Sequence, residues 1–224
     1  MKQKDSFTGF PKELTDFLWE LRFNNNKEWF DKNRDKYKAL LKDPMDSFAF
    51  DMSQMLAKST GDLVTPAVSR MNRDIRFSKN KEPYRDHKWV VFKREEGTWK
   101  NKPAMFFELG PEYYTIGMGI YESLPAYMKA FRKKVDSNTA EFERLIKKYD
   151  KSDIFTLVGG VYKRKFSTDK SEEVINWYQR KSIVLICSRS IDELVYSREL
   201  LDFCHKQFQF LMPMMDYMMS VSLK

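Results

Sequence analysis

Cysteine and histidine are scarce in this 224-residue chain, which holds two of each. A structural zinc site takes about four well-spaced nitrogen, sulfur or carboxylate ligands. Cys204 and His205 are adjacent on a helical stretch and point in different directions, so no metal site is expected. Cys187 and Cys204 lie in apolar surroundings and read as buried free thiols, since disulfide-built secreted domains use cysteine more densely. Glycine and proline are also thin, eight of each. That argues against a turn-dense sandwich or barrel and against low-complexity tails. No apolar run approaches the ~20 residues that span a bilayer. The opening Met1-Lys2-Gln3-Lys4-Asp5-Ser6 has no apolar stretch behind it and is unlike a signal peptide. The cytoplasm is the expected compartment, with no membrane partner.

What the chain has in plenty is aromatic and sulfur-bearing bulk: 18 Phe, 13 Met, 11 Tyr and 5 Trp in a 42% hydrophobic composition. That is enough for the core of one domain spanning residues 1–224. Phe10, Leu14, Phe17, Leu18 and Leu21 fall on one stripe of a helix with Pro11 in its first turn. Asn26 can cap a second helix carrying Trp29, Phe30, Tyr37 and Leu41. Asp43-Pro44 reads as the start of a third. Leu63 to Met71 is β-branched and broken by Pro66, as an edge strand would be. Lys88–Lys93, Pro103–Leu109 and Tyr113–Gly119 follow as strands without helices between them, which implies antiparallel pairing. A helix from Ser123, a capping box at Asn138/Glu141, a strand interrupted at Gly159-Gly160, a helix over Glu172–Tyr178 and a strand over Ser182–Cys187 come next. A last helix starts at Asp192 and bends or ends at Pro213. The fold class expected is α+β: a mainly antiparallel sheet of about five or six strands packed with N-terminal and C-terminal helices.

Charge is unevenly spread. Between Arg70 and Lys102 there are eleven Lys or Arg against five Asp or Glu, which accounts for most of the net charge of +8. Such a segment inside a fold attracts anions. Its densest part reads Arg-Met-Asn-Arg-Asp-Ile-Arg-Phe-Ser-Lys-Asn-Lys-Glu-Pro-Tyr over residues 70–84. If extended, Arg70, Asn72, Asp74 and Arg76 share one face and Met71, Arg73, Ile75 and Phe77 the other. Guanidinium forks grip phosphate or carboxylate bidentately. The expected ligand-binding set is therefore Arg70, Arg73, Arg76 and Lys81 as anion contacts, Asp74 orienting the arginines, and Tyr84 donating a hydrogen bond. The alternative is structural: Arg73, Asp74 and Arg76 as a buried ion-pair network that locks the loop and binds nothing.

The pattern Arg70-x-x-Arg73-Asp74-x-Arg76-Phe77-x-x-Asn80-Lys81-x-x-Tyr84 resembles the signature of an uncharacterised bacterial family, domain of unknown function 2461. Phe17-Leu18, Leu21, Asn25-Asn26, Glu28-Trp29-Phe30 and Tyr37 are similar to that family's opening. Gly117, Gly119, Tyr121, Pro125 and Arg132 are similar to its glycine-rich strand end and arginine helix. Tyr162-Lys163-Arg164-Lys165-Phe166 lacks the proline-glycine stretch of that pattern. The resemblance implies kinship without a reaction, a cofactor or a catalytic residue.

Gly117-Met118-Gly119 lacks the Lys-Ser/Thr of a phosphate-binding loop and the third glycine of a dinucleotide fingerprint, so it reads as a strand end where backbones approach closely. His87 closes the basic segment and is of the right type for general acid–base work, although a surface histidine explains it as well. Phe208 to Met219 is rich in methionine, which suits core packing or a homodimer surface. Lys129, Arg132, Lys133 and Lys134 form a basic helical face. The expected partner is an anionic small molecule, with phosphoryl or phosphodiester chemistry suited to these residue types if the protein is an enzyme. A non-catalytic interaction module is the first alternative. Nucleic acid is the second, with Trp99 and Tyr113 as stacking aromatics.

Overall fold

The structure is a computed structural model, and it describes residues 6–76, 79–94, 102–120, 124–164, 166 and 169–222. Phe77, Ser78, Trp99, Tyr121, Ser123 and Lys165, all singled out above, lie outside the described residues. The chain forms two compact units. One comprises Met1–Glu95, Phe106–Thr115 and Ser188–Gln207; the other comprises Glu96–Met105, Ile116–Cys187 and Phe208–Lys224.

The secondary structure is α+β, built on one six-stranded antiparallel sheet in the order β1-β2-β3-β4-β6-β5. The strands are β1 (Thr65–Val68), β2 (Lys88–Lys93), β3 (Ala104–Leu109), β4 (Tyr113–Gly119), β5 (Thr156–Val158) and β6 (Val184–Ser190). β1 is an edge strand paired with β2 in the register Thr65↔Lys93 to Val68↔Val90, and Pro66 sits in it where a missing N–H is tolerated. β5 is the other edge, paired antiparallel with β6. It stops at Val158 because Gly159 takes a φ of +123°, and a Cβ there would stand 2.2 Å from the Ser182 carbonyl oxygen. Gly119 answers to the same close approach. A Cβ on it would meet the Ile183 carbonyl oxygen at 2.7 Å, so Gly117-Met118-Gly119 is a strand, as the sequence suggests.

In the first unit, α1 (Leu14–Phe23) buries Leu14, Phe17, Leu18 and Leu21, the stripe expected from their spacing. Asn26 caps α2 (Lys27–Lys32) by accepting the Trp29 amide at 2.9 Å. α3 (Arg34–Tyr37), a π-helical turn (Lys38–Lys42) and α4 (Asp43–Thr60) then follow without a break. Asp43-Pro44 is thus not a fresh start: Lys42 and Asp43 are both right-handed helical. The wide turn ahead of Pro44 accommodates a residue that has no amide hydrogen and crowds the carbonyl one turn back. α4 packs on β1 and β2. Phe7, Phe10, Phe48 and Phe107 form the core cluster, with Phe48 and Phe107 centroids 4.6 Å apart. Asp192 does not begin the last helix either. A 3₁₀ turn, Glu193–Tyr196, intervenes before α8 (Glu199–Met219).

In the second unit, α5 (Pro125–Ser137), α6 (Thr139–Asp150) and α7 (Glu172–Tyr178) pack in succession. Asn138 caps α6 as expected by accepting the Glu141 amide at 3.2 Å, while the Glu141 carboxylate takes the Asn138 side-chain amide in place of the backbone N–H of a full capping box. Phe131, Phe142, Trp177 and Tyr149 are buried with Met214, Met215 and Met218 of α8, so those methionines belong to a core. Pro213 lies inside α8 and does not end it. The Tyr149 hydroxyl donates to the Phe210 carbonyl oxygen at 3.2 Å and accepts from the Met214 amide at 3.2 Å, standing in for a helical hydrogen bond beside the proline. Arg132 is buried. It donates to the Tyr178 and Arg180 carbonyls at the end of α7 and lies under the rings of Tyr162, Phe166 and Tyr178. Its partners assign it to the fold.

Candidate functional site

The arginine segment is held in the first unit by a short antiparallel pairing. Asn72 bridges Tyr84, the Arg73 amide donates to the Pro83 carbonyl at 2.8 Å, and the Arg85 amide donates to the Met71 carbonyl at 2.9 Å. The pairing makes residues 71–73 extended. Burial then alternates as the sequence requires: Met71 is buried and Arg73 half-buried, while Arg70, Asn72 and Asp74 are exposed. Asn25, from the turn between α1 and α2, clasps this hairpin from outside the segment through both main-chain groups of Tyr84.

The six expected contact residues meet different fates. Arg70 is exposed, and its side chain has no hydrogen-bond or ion-pair partner among the described residues. The Arg73 Nη2 reaches the Tyr84 carbonyl at 3.4 Å and Glu82 at 3.8 Å, while its buried Nε has no partner among the described residues. Asp74 accepts from the Arg76 Nε at 2.9 Å, from its Nη2 at 2.7 Å and from its backbone amide. Those bonds hold the Asp74 carboxyl down at about 2. Asp74 therefore orients Arg76 and not the other arginines. The pair is exposed, with side chains 56% and 76% accessible, so it is no buried network. The Lys81 ammonium donates to the Ile75 carbonyl at 2.9 Å and so closes the loop between the two halves of the segment. Tyr84 is buried with its ring stacked on Phe30, centroids 4.0 Å apart. Its hydroxyl has no hydrogen bond to a described residue.

Three further groups complete the site, and none was marked as a contact from sequence. Arg85 donates to the Arg70 and Asn72 carbonyls, and its guanidinium lies 4.8 Å over the Trp89 ring. Lys88 is buried; its ammonium donates to the Ser69 carbonyl at 2.7 Å and approaches the Tyr37 hydroxyl at 3.3 Å. Burial without a carboxylate at bonding distance brings it down to about 8. Arg22, on α1, donates through Nε to Asp86 at 2.6 Å, and the other Asp86 oxygen lies 2.9 Å from the His87 Nδ1. The His87 hydrogen bond, then the one from the Arg22 Nε, hold the Asp86 carboxyl well below the usual carboxylate range. The local signal was the run Arg85-Asp86-His87-Lys88 itself. Its partners lie on other elements, where no short-range pattern points.

The family model described as "Conserved hypothetical protein (DUF2461)" matches residues 13–217. The chain belongs to this family. No curated protein matches it. In this DUF2461 member the matched span contains the Asn25 clasp, the whole arginine hairpin and the Arg22–Asp86–His87 chain. Among the described residues no cluster of three or more His, Cys, Asp or Glu could hold a metal ion, and no helix is long and apolar enough to cross a membrane.

Proposed function

We propose that the hairpin Arg70–Tyr84 binds a ligand bearing a phosphate or carboxylate group. The observation that carries this reading is the unpartnered, buried Nε of Arg73. A buried donor without an acceptor costs about 1–3 kcal/mol, and a turn of the Arg73 guanidinium that brings this N–H out onto an anionic oxygen would remove that cost. Arg70, which the alternation puts on the opposite face from Arg73, adds positive charge with its hydrogen-bonding capacity unspent among the described residues, and the Tyr84 hydroxyl adds a neutral donor. Lys88 contributes positive charge, since its oxygen partners are neutral. Lys81 and Arg76 shape the rim, since each has spent donors on the loop itself.

The test is thermal denaturation in inorganic phosphate, sulfate, acetate and nucleotides, on the wild type and on Arg73→Ala and Arg73→Lys. A ligand at about 100 times its Kd stabilises by about 2.7 kcal/mol. For a chain of this size each kcal/mol raises Tm by about 2–4 °C. The expected result is a rise of several degrees in the wild type, lost in Arg73→Ala and reduced in Arg73→Lys, which keeps the charge without the fork. No shift with any of these anions would sink the reading.

A further inference from the structure

We infer that His87 is the proton carrier of a phosphodiester hydrolase, with Asp86 as its positioning residue; this rests on the anion-binding reading above and names the reaction at that site. Asp86 is ionised and clamped by Arg22 at 2.6 Å, so its free oxygen can only accept. The His87 Nδ1, 2.9 Å away, must therefore donate to it. That assigns the neutral imidazole one tautomer, with the proton on Nδ1 and the lone pair on Nε2. The Nε2 has no partner among the described residues, and the side chain is 27% accessible. Packing fixes the ring further: it stacks on Trp89 with centroids 5.7 Å apart. Arg85 lies over that same indole at 4.8 Å while donating to the carbonyls of Arg70 and Asn72. One aromatic ring thus joins a tautomer-locked imidazole to the arginine hairpin.

The chemistry that suits the set is displacement at a phosphodiester. Guanidinium forks match its two non-bridging oxygens. The attacking water then has to lose a proton, and one imidazole can take it. The Nε2 lone pair takes a proton from water, and the water oxygen bonds to phosphorus. The P–O bond to the alcohol, opposite the incoming water, breaks; the departing oxygen takes its proton from solvent, and the imidazolium returns its own to solvent. Water and diester give a monoester and an alcohol, with nothing oxidised or reduced. Arg70 and Arg73 hold charge that is present in both ground and transition states, whereas His87 acts only on the reacting bonds.

The experiment follows hydrolysis of bis(p-nitrophenyl) phosphate and of p-nitrophenyl phosphate by the wild type, His87→Ala, His87→Gln and Asp86→Asn. His87→Gln keeps a planar group against Trp89 should the alanine variant misfold. The expected result is turnover of the diester that falls about a hundredfold or more in both His87 variants and is partly restored to His87→Ala by added imidazole. Phosphate should still raise the Tm of both. Nitrogen-15 spectra resolve the two histidines of the chain; His87 should show the Nδ1–H form in the wild type and lose that preference in Asp86→Asn. A wild type that leaves the diester intact, or His87 variants at the wild-type rate, would overturn the inference even where phosphate stabilisation persists. Loss of phosphate stabilisation in the wild type instead overturns the binding reading beneath it.

Discussion

Asn25 satisfies both main-chain groups of Tyr84: its Nδ2 donates to the Tyr84 carbonyl at 3.0 Å, and its Oδ1 accepts the Tyr84 amide at 3.0 Å. A side-chain amide here does the work of a neighbouring strand. It fixes the end of the arginine hairpin to the turn between two helices, 59 residues earlier in the chain. The same carbonyl also takes the Arg73 Nη2 at 3.4 Å, so Asn25 indirectly sets where the proposed anion contact lies.

Removing that amide leaves the part-buried Tyr84 N–H without its partner and the Tyr84 carbonyl with only the long contact from Arg73. Asn25→Ala should cost about 2 kcal/mol, since each net hydrogen bond is worth about 1 kcal/mol and the orphaned N–H adds to the loss. Urea denaturation would show it as a lower midpoint at unchanged slope. Phosphate should stabilise this variant less than the wild type, because Arg73 loses its seat. Asn25→Ala with wild-type stability would show that the clasp contributes nothing to the hairpin.

Lys88 predicts an unusual alkaline behaviour. Its ammonium titrates at about 8 in the folded chain, against an ordinary value near 10.5. Between those values the unfolded chain holds more protons than the folded one, so stability rises with pH across the window and levels off above it. At neutral pH the burial of this charge costs on the order of 3 kcal/mol. Lys88→Met should flatten the rise, and at pH 7 should be close to neutral or stabilising, because it replaces a buried charge by a side chain of similar length. Denaturant midpoints at pH 7, 8.5 and 10 for the two proteins test this. A wild-type midpoint that falls steadily from pH 8 to 10, with Lys88→Met falling in parallel, would refute it.

Tyr149 makes a prediction about the fold alone. Its hydroxyl donates to the Phe210 carbonyl and accepts the Met214 amide, and burial pushes that hydroxyl up to about 12. Tyr149→Phe keeps the ring and removes both bonds, Met214 being fully buried. The expected loss is about 2–3 kcal/mol. Restoring a regular helix by Pro213→Ala in the same chain should recover part of it, because α8 could then close more of its own hydrogen bonds. Additive losses in the double variant would separate Tyr149 from the proline.

Which parts of this were legible from sequence follows from the range of the forces involved. Asn138 with Glu141, Asn26 with Trp29, and Pro66 on an edge are set by neighbours within a few residues, and each stands where its pattern implies. Asp43-Pro44, Asp192 and Pro213 carry equally local signals, with mixed outcomes. Asp43 opens α4 with Pro44 in its first turn, but from an already helical Lys42. Asp192 precedes a 3₁₀ turn and not α8, and Pro213 sits inside α8 without ending it. A π-helical turn, a 3₁₀ turn and the Tyr149 hydroxyl absorb what those signals demand. At the site, the two-residue alternation separates Arg70, Asn72 and Asp74, which are exposed, from Met71 and Arg73, which are buried and half-buried, but it fails at Ile75, which is exposed. It could not show that Asp74 spends itself on Arg76, nor that Arg22, 64 residues before Asp86, and Asn25 complete the site. Contacts across such distances are decided by packing.

The partition between Arg73 and Arg76 gives the sharpest test of which guanidinium matters. Arg76 is tied through Nε and Nη2 to Asp74, and because that carboxyl is held at about 2 the pair stays closed at any pH where the protein is used. Arg73 has no such commitment at Nε. Arg76→Ala should therefore leave the phosphate-induced rise in Tm nearly intact, whereas Arg73→Ala abolishes it. Asp74→Asn should act in the opposite direction. It removes a negative charge from the rim and releases Arg76, so phosphate should bind more tightly, with a several-fold lower Kd by calorimetry. Both Asp74 and Arg76 are exposed, so neither change should alter stability measurably in the absence of ligand. If Asp74→Asn instead weakens phosphate binding, the carboxylate is orienting an arginine that the anion needs, and Arg76 moves from the rim to the centre of the site.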